Sequence, residues 1–259
     1  MLILVQFLLR LAFGLALAMA ITPPRQVTSG FYRNHSYVLL GLGSLATLVA
    51  FSRPDVSPLW TPVAVTVFSY VSAACWLYER RRAAVAALSA VSVLSLAGAW
   101  NSLALVASSP LAEPPSFRAD WLLAALDPVS SGLLLGATIA AMFLGHWYLN
   151  TPTMNIAPLR RLLQLLAAAI VLRAVVCGVE LLLDPSTLTD GDMLSRTLLT
   201  LRWAAGIAGT AVATWMSWQT LKIPNTQSAT GILYVAVIFT FLGELAGLLP
   251  LAGAAAVIP

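Results

Sequence analysis

Eight apolar stretches, each long enough to form about five to seven turns of helix, follow one another along the chain at 2–21, 36–52, 59–78, 83–107, 128–149, 160–183, 197–221 and 230–250. This recurrence constrains the fold more than any other feature. About 20 apolar residues span the hydrocarbon core of a bilayer, and helices satisfy their own backbone hydrogen bonds there. The breaks between them, such as "TPPRQVTSG", "SRPDVSP", "NTPTMNIAP" and "DPSTLTDGD", carry Pro, Asp, Asn, Ser and Gly, the residues of turns. Stretches three and four are separated only by the charged turn "ERRR". The longest break, 108–127, contains "ADWLLAAL" at 119–126, which reads as a short helix lying in the membrane interface. No break has room for a soluble domain. The expected fold is therefore all-α: a single polytopic bundle over residues 1–259, with about eight transmembrane helices.

Charge agrees with that expectation. Only 9% of the 259 residues are charged and the mean hydropathy is +0.88, against roughly one quarter charged in a soluble domain. The net charge of +4 comes from short arginine clusters between apolar stretches and points to orientation in a membrane, with no nucleic-acid partner. Alternating loops divide the basic residues unevenly. Arg25, Arg33, Arg80, Arg81, Arg82, Arg160, Arg161 and Lys222 fall on one face, while Arg53, Arg118 and Arg196 fall on the other. By the positive-inside rule the first face is cytoplasmic. With eight spans, both termini then lie outside (N-out/C-out), and the setting expected is a bacterial cytoplasmic (inner) membrane. "LALAMA" before "ITPPR" has small residues at signal-peptidase spacing. Yet no basic region precedes this apolar core and Arg10 interrupts it, so the first stretch reads as a retained span.

Glycines at 132, 136, 206, 209, 243 and 247 are spaced to bring helix backbones close together in lipid. Cys75 and Cys177 sit in apolar runs without metal-ligand spacing, and no metal site is expected.

Two groups of residues carry the functional expectations. Arg10, Arg173, Glu180, Arg202 and Glu244 lie inside apolar stretches, all in or near the outer half. A charge at mid-bilayer costs about 2.5–3.5 kcal/mol on insertion scales, so such groups are paired, solvated or used. Arg173, Cys177 and Glu180 share one helix face. The second group gathers both histidines at the cytoplasmic face: His35 with Arg33 in "GFYRNHSYVLL", and His146 with Tyr148 and Asn150 in "GHWYLNTPTM". Two imidazoles can ligate one b-type haem. A histidine beside a tyrosine or asparagine can instead hydrogen-bond a quinone and move its protons.

The leading expectation is thus a quinone- or haem b-binding subunit of an electron-transfer complex, working with other membrane-protein subunits. Two alternatives stand beside it: a structural or assembly subunit without chemistry of its own, and a small-solute or ion transporter using the intramembrane Arg/Glu group. No nucleophile elbow, phosphate-binding loop or dinucleotide motif is present to define an enzyme.

Overall fold

The computed structural model describes residues 1–53, 58–107, 118–151, 153–185, 192–223 and 225–250. Among them all regular structure is helical: α1 Leu2–Ile21, α2 Ser29–Ser52, α3 Trp60–Leu77, α4 Arg81–Ala107, α5 Arg118–Asn150, α6 Ala157–Leu183, α7 Met193–Leu201, α8 Thr210–Thr220 and α9 Thr226–Leu248. A π-helical segment, Arg202–Gly209, joins α7 to α8 without a break. Among the described residues, seven helices (α1 to α6 and α9) are long and apolar enough to cross a membrane, which is consistent with an integral membrane protein in contact with lipid.

Local chemistry sets the ends. α1 stops at Ile21 and Thr22 is extended, as the residue before Pro23 must be. Glu79, between α3 and α4, takes a φ of 56°, and Ser29 Oγ donates to its carboxylate at 2.6 Å. Asp192 and Asn225 cap α7 and α9, accepting from the Ser195 and Ser228 amides at 2.8 and 3.0 Å.

Two elements differ from the sequence expectation. The segment 119–126 is no separate interfacial helix: it forms the first turns of α5, which runs through Pro128 for 33 residues. Proline removes the amide that would bond the carbonyl four residues back. Nearby carbonyls gain side-chain donors, Ala125 from the Trp100 indole at 3.0 Å and Asp127 from Ser130 Oγ at 3.2 Å. The stretch 197–221 is also not a uniform α-helix, because the π-helical segment occupies its first half.

The helices form two four-membered rings. In the first, α1 packs on α2, α2 on α3, α3 on α4 and α4 back on α1; in the second, α5 packs on α6, α6 on α8, α8 on α9 and α9 back on α5. The rings meet through α1 and α5. These two are the central helices, with 78% and 83% of their apolar windows buried against 39–44% in the other five. Four helices bring the chain back to the side on which it began, so α1 and α5 run parallel.

Glycines determine how closely they approach. A Cβ on Gly14 would lie 1.7 Å from the Gly132 carbonyl oxygen, and one on Gly136 would lie 1.9 Å from the Gly14 carbonyl carbon. The Gly206–Gly243 crossing is similar, with a Cβ on Gly243 falling 2.2 Å from the Gly206 Cα. Hydroxyls add interhelical bonds: Thr240 of α9 lies 3.3 Å from Thr138 of α5 and 3.0 Å from Thr210 of α8.

Candidate functional site

The two glycine crossings bring charged side chains from five elements together near the face where α1 begins. α1 contributes Arg10, α5 Asp127, α6 Arg173 and Glu180, the π-helical segment Arg202, and α9 Glu244. Asp127 is the hub. Its Oδ2 is 2.7 Å from Arg10 Nη1, and its Oδ1 is 2.6 Å from Arg173 Nη1 and 3.8 Å from Arg202 Nη2. Arg173 also grips Glu244 with two bonds, Nε to Oε1 at 2.8 Å and Nη2 to Oε2 at 2.7 Å. Ser131 Oγ donates to Glu244 Oε2 at 2.5 Å, and Ser130 Oγ accepts from Arg173 Nη1 at 3.2 Å. Arg202 Nη2 reaches Glu180 Oε2 at 3.0 Å. Three arginines thus meet three carboxylates, and the formal charge of the group is zero.

The network extends into the first ring. Arg10 Nε donates to Gln6 Oε1 at 2.9 Å, and Gln6 Nε2 donates to the Ala99 carbonyl at 2.9 Å and to Ser102 Oγ at 2.6 Å. Both partners belong to α4, so the central helix α1 carries polar contacts from one ring to the other.

Accessibility is graded across the group. Arg10, Arg173 and Glu244 are 1–2% exposed, Arg202 14%, Asp127 27% and Glu180 51%. A cavity of about 340 Å³ accounts for the gradient, lined by Asp127, Cys177, Glu180, Asp184, Ser195 and Arg202 among others. A bidentate pair is therefore locked in the interior, and a looser pair faces the cavity. Asp127 touches both.

Arg202 stands between two carboxylates. It is bonded to Glu180, while Asp127 lies 0.8 Å beyond that bond length by the distances of 3.0 and 3.8 Å. Gly247 leaves room beside it, since a Cβ there would come within 3.2 Å of Arg202 Nε. That nitrogen is buried and has no hydrogen-bond partner among the described residues. Arg202 also opens the π-helical segment, a local widening that often occurs at working sites.

The five intramembrane charges singled out in the sequence are thus neighbours, joined by a residue the sequence had placed elsewhere. Asp127 precedes Pro128 at the edge of an apolar run, and the pair reads as a loop. The missed signal is "ADWLLAAL", whose apolar turns continue the helix on the other side of the proline.

The residues at the opposite face do not form a comparable group. His35 is buried on α2, its Nδ1 2.6 Å from the Phe31 carbonyl. Its ring stacks on Phe143 at 4.3 Å and contacts Phe31 at 4.4 Å. His146, exposed on α5, turns to α9 instead, with Nδ1 3.3 Å from the Tyr234 hydroxyl. Phe143 and Trp147 share the α5 face that meets His35, and His146 lies about 100° around from Trp147. The imidazoles therefore point at different helices, and the arrangement does not fit a haem held between them. The buried Tyr148 hydroxyl donates to the Asn155 carbonyl, tying the end of α5 to the next turn. Asn150 is exposed and Arg33 half-buried.

No family model, curated protein or solved structure matches this chain.

Proposed function

We propose that the chain is an eight-span membrane transporter for a small solute or ion, driven or gated by protons at the Arg/Asp/Glu network. In this reading the continuous helix from Met193 to Thr220 is the eighth span. Both ends lie outside and the basic loops face the cytoplasm, as in a bacterial cytoplasmic membrane. The supporting observation is the position of Arg202, bonded to the half-exposed Glu180 and one short step from Asp127. A proton arriving from the cavity neutralises Glu180 and weakens its hold on Arg202. The guanidinium then moves toward Asp127, where it competes with Arg10 and Arg173. Loss of the proton reverses the exchange. Intramembrane carboxylates facing a cavity are usual elements of proton relays, and arginines are their usual charge partners.

The test uses the purified protein in vesicles loaded with a pH-sensitive dye, under an imposed pH gradient. The wild type should dissipate the gradient faster than protein-free vesicles. Glu180→Gln should abolish the excess rate while eluting as folded protein, because Glu180 is half exposed. Equal rates for the wild type, Glu180→Gln and empty vesicles would reduce the network to a structural clamp and leave a scaffold or assembly subunit.

A second reading, a quinone-binding electron-transfer subunit with partner subunits, is favoured by the exposed His146–Tyr234 pair at the basic face. Its two polar groups suit a quinone carbonyl. His146→Phe would then abolish the quenching of protein fluorescence by added ubiquinone-1, and quenching unchanged in this variant would remove that reading.

A further inference from the structure

A second cavity, of about 400 Å³, lies on the outside of the second ring between α6 and α8. Its walls are two stripes, apolar but for Gln164 and Thr214. α6 contributes Gln164, Ala167 and Val171, and α8 contributes Ala211, Trp215 and Trp218. Both stripes follow helical spacing, and both lead to a cation. On α6 the series 160, 164, 167, 171 begins at Arg160; on α8 the series 211, 215, 218 runs toward Lys222, which lies in the turn two residues past the end of the helix.

Arg160 reaches the backbone beside Lys222, its Nη2 donating to the carbonyl of Leu221 at 3.0 Å. Arg161 adds a third exposed positive charge. From Arg160 to Val171 is eleven residues, or about 16 Å along the helix. That is about half of a hydrocarbon core of roughly 30 Å, so the groove is as deep as one leaflet. Trp218 lies one turn below Lys222, near the level where indoles collect in membranes.

We infer that this groove is a site for an anionic diacyl phospholipid, its phosphate held by Arg160, Arg161 and Lys222 and one acyl chain lying between α6 and α8. The charge selects the occupant. A neutral lipid or an apolar helix would fill the groove equally well but would leave three clustered cations at its mouth without a counter-charge, whereas a phosphodiester supplies one. The inference rests on the membrane setting and is independent of the transport reading.

Quenching of tryptophan by brominated acyl chains tests it directly. The protein is reconstituted in phosphatidylcholine vesicles containing increasing fractions of dibrominated phosphatidylglycerol or, separately, dibrominated phosphatidylcholine. The signal of the groove is taken by difference from Trp215→Phe/Trp218→Phe. Half-quenching should require about fivefold less, or lower still, of the brominated phosphatidylglycerol, as expected from the pull of even one well-placed cation. Arg160→Gln/Arg161→Gln/Lys222→Gln should erase the preference. Arg161→Gln/Lys222→Gln, which spares the Arg160–Leu221 bond, should erase most of it if the triple variant does not fold. Arg80→Gln/Arg81→Gln/Arg82→Gln, altered elsewhere on the basic face, should retain it. Equal quenching by the two lipids would overturn the inference, as would equal losses from the two sets of substitutions. So would indoles that neither brominated lipid reaches, which would mean that a protein surface covers the groove.

Discussion

Replacing Asp127 with asparagine keeps the shape of the hub and removes its charge. Arg10 and Arg173, 1% and 2% exposed, then lose a carboxylate at 2.7 and 2.6 Å. Arg173 keeps Glu244, but among the described residues Asp127 is the one carboxylate paired with Arg10. Leaving a buried charge uncompensated costs about 3–5 kcal/mol, so Asp127→Asn should lose an amount of that order. Glu180→Gln removes a pair whose carboxylate is 51% exposed, and such pairs contribute about 0–1 kcal/mol. Adding Arg10→Leu to Asp127→Asn should recover part of the loss, since the uncompensated charge goes with it. Unfolding in mixed micelles of increasing denaturing-detergent fraction, followed by circular dichroism, measures all three variants. An Asp127→Asn loss under about 1 kcal/mol, or equal losses for Asp127→Asn and Glu180→Gln, would refute the graded network: the pairs would then contribute as exposed ones do.

Other predictions concern parts of the fold remote from the hub. Gly14→Ala should abolish the peak of folded protein on size-exclusion chromatography, because its Cβ would meet the Gly132 carbonyl at 1.7 Å. Gly41→Ala, with nothing within 4 Å of the added carbon, should be neutral or stabilising by up to about 1 kcal/mol; equal behaviour of the two would deny the α1–α5 crossing. Glu79, in the turn between α3 and α4, is held below its ordinary carboxylate value, chiefly by the Ser29 hydroxyl and also by Arg81. Its contribution is full above the ordinary value of about 4.5 and is lost as pH falls through the lowered folded value. Ser29→Ala should move the Glu79 titration upward in a carboxyl carbon NMR experiment, and an unmoved titration would contradict the contact.

Hydrophobic length made most of the helices legible in the sequence, and glycine spacing made their contacts legible. Gly132 and Gly136 do press against Gly14, and Gly243 does meet Gly206. Long apolar runs admit few alternatives in lipid, which is why this level of the fold can be read so directly. What stayed hidden depends on position in the membrane plane. Nothing local to Arg10 says that its partner is 117 positions away, and the Asp127–Pro128 pair has the local chemistry of a turn even though tertiary packing carries the helix through it. The two four-helix rings were equally unreadable, since they share topology without sharing a motif. At the other face, sequence placed His35 and His146 at one depth, but their rotation about their helices sends them to different neighbours. Depth follows from counting residues, whereas facing directions follow from packing.

Whether the ionic centre is reachable from water on the side where the chain begins decides between a working site and a dry clamp. Substituted-cysteine labelling in intact cells measures this most directly. In a background of Cys75→Ala and Cys177→Ala, Glu180→Cys lines the cavity mouth, while Ser131→Cys lies behind it beside Glu244. A membrane-impermeant thiol reagent added outside should modify Glu180→Cys rapidly and leave Ser131→Cys unmodified. Labelling of Glu180→Cys only after the cytoplasmic side is opened, or no labelling on either side, would contradict an outward-facing aqueous site.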